Sequence, residues 1–215
     1  FASFGSIVAS AQTEKFDAGK LIMEHLGDSY YWHMFTQESL DVSIPLPIIL
    51  INDGKVDVFM SSKFHHGHSP YKGYKIATDK DGEGLEGSII CVDDKGVYTG
   101  KKPLDFSITK NVFAIFIVAG LIIFLVLKGA RIAKNREGQA PKGLLTVVEY
   151  FISFIKNDIA LPSIGEHKYQ KYLPYLLTAF LFIFFSNLLG LFPFFPGGAN
   201  ITGNIAVTLC LAVFT

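Results

Sequence analysis

The sequence is short of charge, of cysteine and of tryptophan. Charged residues make up 18% of its 215 residues, against roughly 25% in soluble proteins. Two cysteines exclude a disulfide-rich scaffold, and a hydrophobic share of 50% excludes a disordered chain. The formal net charge of zero argues against a nucleic-acid-binding protein.

Charge is absent altogether from residues 172–215, a run of 44. A membrane-spanning helix needs about 20 apolar residues, so this run has room for two, with residues 196–200 as the turn. An earlier apolar run, residues 112–127, lies between Lys110 and Lys128, whose long side chains extend it to membrane depth. We therefore expect a membrane α-helical protein with two full transmembrane helices and a truncated third.

Both ends of the sequence suggest a piece of a longer protein. Residues 1–11 end in a small-x-small pattern after an apolar stretch, which predicts the remnant of a signal peptide. The third helix, residues 204–215, would be roughly 18 Å long at 1.5 Å per residue, against a hydrocarbon layer of about 30 Å. We therefore expect truncation at both ends.

The distribution of positive charge predicts the orientation. All eight Lys and Arg residues of the second half lie between Lys128 and Lys171, and the turn at residues 196–203 has none. The positive-inside rule places the basic segment in the cytoplasm. Residues 12–104 are then an extracytoplasmic segment, and residues 105–215 form the membrane domain.

The extracytoplasmic segment has the pattern of short strands. Residues 46–51 and 55–60 flank an Asn-Asp-Gly turn and predict a β-hairpin. Residues 88–92 and 97–99 predict a second hairpin. We expect a small β-rich module, preceded by a short helix over residues 16–31.

The cytoplasmic segment contains one amphipathic stretch. Apolar residues from Leu144 to Ile155 recur at helical spacing, and Lys156 and Asp158 are expected to end this helix before Pro162. Such a helix lies in the membrane interface or against a neighbouring helix. Its one interior acid, Glu149, is expected at the surface.

Three polar residues lie within the predicted spans. Asn187 is inside the second, and Asn204 and Thr208 lie four residues apart on one face of the third. Polar side chains at membrane depth face protein or water and not lipid, so these residues either join helices or line a polar path. Gly190 allows close helix packing.

A histidine cluster is the one candidate metal site, formed by His65, His66 and His68. Three imidazoles can bind a divalent metal, but no Cys or carboxylate lies close in sequence, which favours a solvated loop. Residues 82–87 match a dinucleotide pattern, but their acids would repel a pyrophosphate and a strand follows them. We therefore expect no cofactor.

Three motifs together resemble a known family. They are Pro141-Lys142-Gly143-Leu144 leading to Glu149, the block from Ser186 to Pro193 with Asn187 and Gly190, and the block from Asn204 to Leu209 with Thr208. Over roughly residues 104–215 the chain resembles subunit a of the F-type ATP synthase.

The resemblance implies a non-catalytic, multi-pass subunit of the bacterial inner membrane. In that family subunit a offers two half-channels for protons to the c ring, and an arginine on a later helix separates them. No Lys or Arg follows Lys171, so we expect an incomplete fragment. The implied partners are the c ring, the peripheral-stalk b subunits, the lipid bilayer and protons. By this resemblance Asn187, Asn204 and Thr208 are expected to be proton-path residues.

Two alternatives come from other classes of protein. One is a membrane-anchored extracytoplasmic sensor or binding protein that uses its β module, with the histidine cluster as the binding site. The other is a membrane chaperone or scaffold that works without ion passage.

Overall fold

A computed structural model describes residues 27–37, 40–82, 84–136, 138–192 and 197–214. All described strands lie before residue 106, and all described α-helices lie after residue 109. We call the described residues from 27 to 109 the β module and those from 110 to 214 the helical part.

Three small antiparallel sheets make up the β module. Its strands, in chain order, are β1 (Tyr31–Gln37), β2 (Leu40–Pro45), β3 (Pro47–Asn52), β4 (Lys55–Met60), β5 (Tyr74–Ile76), β6 (Ile89–Cys91) and β7 (Leu104–Asp105). β1 pairs with β2, β3 lies between β4 and β7, and β5 pairs with β6. β1–β2 and β3–β4 are pairs of consecutive strands, whereas a long loop separates β5 from β6 and β3 also pairs with the distant β7.

The first predicted hairpin, over residues 46–60, is confirmed. β3 pairs antiparallel with β4, and Asn52 lies opposite Lys55 at the turn. Asp53 and Gly54 both have positive φ, 47° and 78°. A two-residue hairpin turn that matches the strand twist requires this conformation at both positions.

The core of the β module lies on one face of the three-stranded sheet. Ile48 and Leu50 of β3 are fully buried there. Phe59 of β4 meets Phe64 edge to face, with the ring centroids 5.4 Å apart. The other face of the sheet is exposed, and Val58 is 60% accessible. This alternation fixes the register, because a one-residue slip would expose the core residues.

The second predicted hairpin is confirmed in part. The N–H of Asp93 donates to the carbonyl oxygen of Val97 at 3.0 Å, and the N–H of Thr99 donates to the carbonyl oxygen of Cys91 at 3.1 Å. Val92 and Tyr98 form an antiparallel bridge between the same two segments. The prediction missed the second partner of β6, because β6 also pairs along its length with β5.

The predicted helix over residues 16–31 lies largely outside the described residues. Its last part is wrong, because residues 27–30 are not helical and β1 begins at Tyr31. Tyr31 is buried, and its hydroxyl donates a hydrogen bond to the carbonyl oxygen of Ser61. Strand pairing opposite Pro45 positions the tyrosine for this contact.

The described residues contain five α-helices. They are α1 (Lys110–Lys134), α2 (Leu144–Phe154), α3 (Leu161–Ile164), α4 (Tyr169–Gly190) and α5 (Ile205–Phe214). By length and composition, α1 and α4 could each cross a membrane, and α5 is shorter. α1 runs past the predicted residues 112–127, because Arg131 and Lys134 in its last turn interact favourably with the helix dipole.

The predicted end of the amphipathic helix is wrong. A π-helical turn, Ile155–Ala160, follows α2 and continues directly into α3. Pro162 lies in the first turn of α3, directly after the π-helical turn, and the chain remains helical through it. Gly165, with φ of 86°, follows α3.

α2 packs against both long helices. A Cβ placed on Gly129 of α1 would lie 3.2 Å from the side chain of Val148. Phe151 of α2 meets Phe184 of α4 with ring centroids 5.3 Å apart. Of the two predicted environments for this helix, contact with neighbouring helices is therefore present.

Trp32 of the β module is buried in the apolar core of the helical part, and Ile44 of β2 packs against the same core. The buried members of that core are Trp32, Ala114, Val118, Leu181, Phe185, Leu189, Ala199 and Ile201. Trp32 comes from β1, whereas the others come from α1, α4 and the turn after α4. The two parts of the molecule therefore share a core at one end of the helices.

Candidate functional site

Asn187 lies on the exposed side of α4, close to its C-terminal end. Its Nδ2 donates to the carbonyl oxygen of Ile183 at 2.9 Å, and its Oδ1 accepts from the hydroxyl of Thr202 at 2.8 Å. These bonds fix the orientation of the amide. Within the described residues they leave one N–H and one oxygen lone pair for a further partner.

The surface beside Asn187 is an open groove of about 350 Å³. Its other lining residues are all apolar: Phe180, Ile183, Phe184, Leu188 and Leu191. The Asn187 amide is thus an oriented polar group on an otherwise apolar helix face.

The turn between α4 and α5 presents Thr202 to Asn187. Ala199 and Ile201 are fully buried in the core of the helical part. The backbone N–H of Gly203 donates to Asn200 Oδ1 at 3.0 Å, and a Cβ on Gly203 would overlap the Asn200 side chain. The turn is therefore anchored on both sides of Thr202.

Asn204 and Thr208 lie at the start of α5. Asn204 Oδ1 accepts from the backbone N–H of Ala206 at 2.9 Å, which caps the helix. Thr208 Oγ1 donates to the carbonyl oxygens of Asn204 at 3.3 Å and Ile205 at 3.1 Å. The described hydrogen bonds of both side chains stay within α5 and its cap, so the structure does not join them to Asn187.

Gly190 lies against the turn and not against another helix. A Cβ placed on it would be 3.4 Å from the carbonyl oxygen of Ala199. At Gly190 the close contact is therefore with the backbone of the turn that follows α4.

The histidine cluster lies at the end of a 3₁₀ helix, Ser61–Gly67. His65 and His68 are exposed, and the His66 side chain is outside what the structure describes. Within the described part of the chain, no group of three or more His, Cys, Asp or Glu side chains could hold a metal ion. The metal hypothesis therefore gains no support.

The β module is attached to the N-terminus of α1. Asp28 Oδ1 accepts from the backbone N–H of Asn111 at 3.0 Å, and the carbonyl oxygen of Ser29 accepts from the N–H of Lys110 at 2.8 Å. Backbone N–H groups in the first turn have no partner within a helix, so residues distant in sequence satisfy them here.

A buried tyrosine connects the segment before β1 to β7. The hydroxyl of Tyr30 donates to Asp105 Oδ2. Burial of the phenol, together with its bond to the Asp105 carboxylate, raises the pKa of Tyr30 well above its ordinary value. The tyrosine therefore stays neutral and remains a donor over the physiological pH range.

Comparison with known proteins separates the two halves of the chain. The model of the ATP synthase A chain family matches residues 112–215. Residues 112–215 belong to that family. A second model, described as a domain of unknown function, matches residues 21–106. The subunit a family is membrane-helical, and α1 and α4 fit transmembrane helices in length and composition.

Curated relatives agree with this assignment. "ATP synthase subunit a 2" of Chlorobaculum tepidum is 52% identical over 112 residues, covering 52% of this chain and 31% of the relative. "ATP synthase subunit a" of Pelodictyon phaeoclathratiforme is 46% identical over 113 residues, covering 52% and 32%. That of Chlorobium phaeobacteroides is 45% identical over 150 residues, covering 62% and 43%. The chain thus spans about a third of the length of the first two relatives. No solved structure gave a significant match.

Sequence reasoning missed two residues that hold this site together. Thr202 falls within the predicted turn at residues 196–203 and no pattern singles it out, although its hydroxyl donates a hydrogen bond to Asn187. Trp32 was not singled out, although it is the only tryptophan in the sequence and lies in the helical core. A lone tryptophan in a Phe-rich sequence is the signal that could have identified it.

Proposed function

We propose that this chain is part of subunit a of a rotary F-type ATP synthase and that its helical part contributes to the path by which protons reach the c ring. The subunit is non-catalytic, and its partners are the c ring, the peripheral-stalk b subunits and the lipid bilayer. One observation carries the proposal: within the family-matched segment, Asn187 is an oriented amide in an apolar groove.

The chemistry of the amide suits a proton path. Asn187 does not ionise, but it can donate and accept hydrogen bonds at the same time, which orients water or a carboxylate on a neighbouring subunit. The groove is open, so its apolar side chains can face the lipid or another subunit. Asn204 and Thr208 remain part of the proposal only as polar groups near the start of α5, because their described bonds are local.

The charge distribution supports an extracytoplasmic β module. Trp32 of the module meets Phe113 near the start of α1, with ring centroids 5.6 Å apart. Lys128, Arg131 and Lys134 lie at the other end of α1. The basic end of the helix is therefore opposite the module, as the positive-inside rule requires for a module outside the cytoplasm.

We propose the corresponding division of the chain and its place in the cell. Residues 12–104 form the extracytoplasmic segment and residues 105–215 the membrane domain, in the bacterial inner membrane. No arginine follows Arg136 in the sequence. The arginine implied by the family resemblance is thus not supplied by α4 or α5, and Asn187 belongs to one section of a longer path.

The proposal is tested by proton conduction through the assembled complex. Asn187→Leu keeps the approximate size of the side chain and removes the amide. We expect passive proton flux through the membrane sector to fall roughly five- to tenfold, the effect of about one hydrogen bond on a barrier. Measurements use the full-length subunit in membranes stripped of the catalytic sector.

Thr178→Val is the matched control on the same helix. The Thr178 hydroxyl donates back to the carbonyl oxygen of Pro174 at 2.8 Å, so its loss should leave the flux unchanged. Equal fluxes in the two variants, with equal amounts of assembled subunit, would contradict the proposal.

A further inference from the structure

Trp32 connects the β module to the helical part. It lies on β1, yet its side chain is 2% exposed and packs among residues of α1 and α4. Its ring meets Phe113 edge to face at an interplanar angle of 86°. The strand therefore places an indole between the helices at the module end.

The indole also holds the turn after α4. Trp32 Nε1 donates to the carbonyl oxygen of Gly197 at 3.2 Å. A Cβ placed on Gly197 would lie 2.7 Å from the carbonyl oxygen of Leu189 and closer still to Phe192. Only glycine allows the backbone to pass so close to the end of α4, so this contact has a defined geometry.

Thr202, which contacts Asn187, lies five positions after Gly197 in the chain. The N–H of Gly198 donates to the carbonyl oxygen of Leu189 at 3.3 Å, and Ala199 and Ile201 are fully buried. Thr202 then donates to Asn187 Oδ1. Three of the four residues between Gly197 and Thr202 are therefore buried or hydrogen-bonded to α4.

The β1 strand is itself fixed to α1. Asp28 and Ser29, just before β1, accept hydrogen bonds from the backbone N–H groups of Asn111 and Lys110. Trp32 cannot move away from the turn without breaking these bonds or shifting α1. β1, α1 and the turn after α4 are therefore held in fixed positions relative to one another.

We infer that Trp32 is a positioning residue, through which the β module sets the orientation of the Asn187 amide by way of residues 197–202. The effect on proton flux rests on the proposed function. The positioning of the Asn187 amide is independent of the proposed function, because it is inferred from the Trp32–Gly197 and Thr202–Asn187 contacts.

The test is a double-mutant cycle in the assembled complex with the full-length subunit. Trp32→Phe keeps an aromatic ring against Phe113 and removes the donor to Gly197, and Thr202→Val removes the donor to Asn187. We expect each single variant to lower passive proton flux several-fold and to change its pH profile in the same way. The double variant should match Thr202→Val alone, because both act through one contact.

Two results would overturn the inference. One is a Trp32→Phe flux equal to that of the unaltered protein. The other is a double variant whose loss is the product of the two single losses, since residues acting independently give additive free energies. Tyr31→Phe is the matched control: it removes the neighbouring donor, to Ser61, and should leave the flux unchanged.

The outcomes separate this inference from the proposed function. If Asn187→Leu leaves the flux unchanged, the proposed function fails. If Asn187→Leu lowers the flux but Trp32→Phe does not, only the inference fails. Should the Trp32→Phe subunit fail to assemble, a benzothienylalanine at position 32 keeps the shape of the indole without its N–H, and the same predictions apply.

Discussion

The β module and the helical part are stabilised by different interactions. In the module, described ion pairs join Lys75 to Asp81 at 2.6 Å and Lys72 to Asp57 at 3.0 Å. In the helical part, aromatic rings of α2 and α4 pack together, with Phe151 and Phe180 at a centroid distance of 5.9 Å. All ion pairs found between described residues lie in the module.

This contrast shows how one chain suits two environments. Ion pairs and hairpins suit a part surrounded by water, whereas a charge inside the membrane is costly. Close ring and backbone packing provides the contacts between helices, because lipid offers no hydrophobic driving force for their association. The two parts should therefore respond differently to the same kinds of change.

The largest expected effect is on the core of the β module. Ile48→Ala removes a fully buried side chain from β3 and should lower the free energy of unfolding by about 2–5 kcal/mol. Urea unfolding of the full chain in detergent, followed by the near-ultraviolet circular dichroism of the tyrosines buried around Ile48, measures this change. The far-ultraviolet signal of the helices should persist past the near-ultraviolet transition.

Val58→Ala is the matched control on the exposed face of the same sheet. Because Val58 is 60% exposed, its truncation should cost less than about 0.5 kcal/mol. Equal losses from the two variants would mean that the exposed face is covered in the protein.

A smaller effect is expected where α1 meets α2. Gly129→Ala places a Cβ at 3.2 Å from Val148, and we expect a destabilisation of about 1–3 kcal/mol from overpacking. Gly120→Ala, on the same helix, has no neighbour within 4 Å and should be neutral or stabilising by up to about 1 kcal/mol. Thermal unfolding of both variants in detergent checks the difference. A Gly129→Ala variant as stable as Gly120→Ala would exclude close helix packing at this position.

The smallest effect concerns acid stability of the β module. A hydrogen bond from Lys75, followed by bonds from Thr78, holds the pKa of Asp81 below its ordinary value of 3.8. The stabilisation is therefore complete above about pH 4 and is lost as the pH falls through the lowered pKa.

Asp81→Asn tests this pH dependence. At pH 6 the variant should lose less than about 1 kcal/mol of unfolding free energy, as is typical of a pair at the surface, and at low pH it should unfold like the parent. Urea titrations at the two pH values measure the difference. A loss of the same size at both pH values would mean that the carboxylate charge does not stabilise the fold.

Local patterns predicted the helices and one hairpin. The uncharged run after Lys171 predicted α4 and the start of α5, because hydropathy alone selects membrane helices. The Asn-Asp-Gly sequence predicted the β3–β4 turn, because positive φ at two successive positions restricts the residues allowed there. The pairing of β5 with β6 could not be predicted, since each strand has three residues and a long loop separates them.

The candidate site was predictable only in part. Asn187 stood out because it interrupts an apolar run. Its partner Thr202 lies 15 residues away, across a turn. The contact from Trp32 to Gly197 spans 165 residues. Contacts this distant depend on how the β module docks on the helices, and no local pattern records that arrangement.

On the proposed proton path, Asn187 is accessible to water from the extracytoplasmic side. The most direct test of this access is labelling of Asn187→Cys, in a full-length subunit with Cys91 and Cys210 replaced, by a membrane-impermeant maleimide added to that side of intact membranes. We predict rapid labelling at position 187 and slow labelling of Thr178→Cys. Equally slow labelling at positions 187 and 178 would contradict the proposed access of water to Asn187.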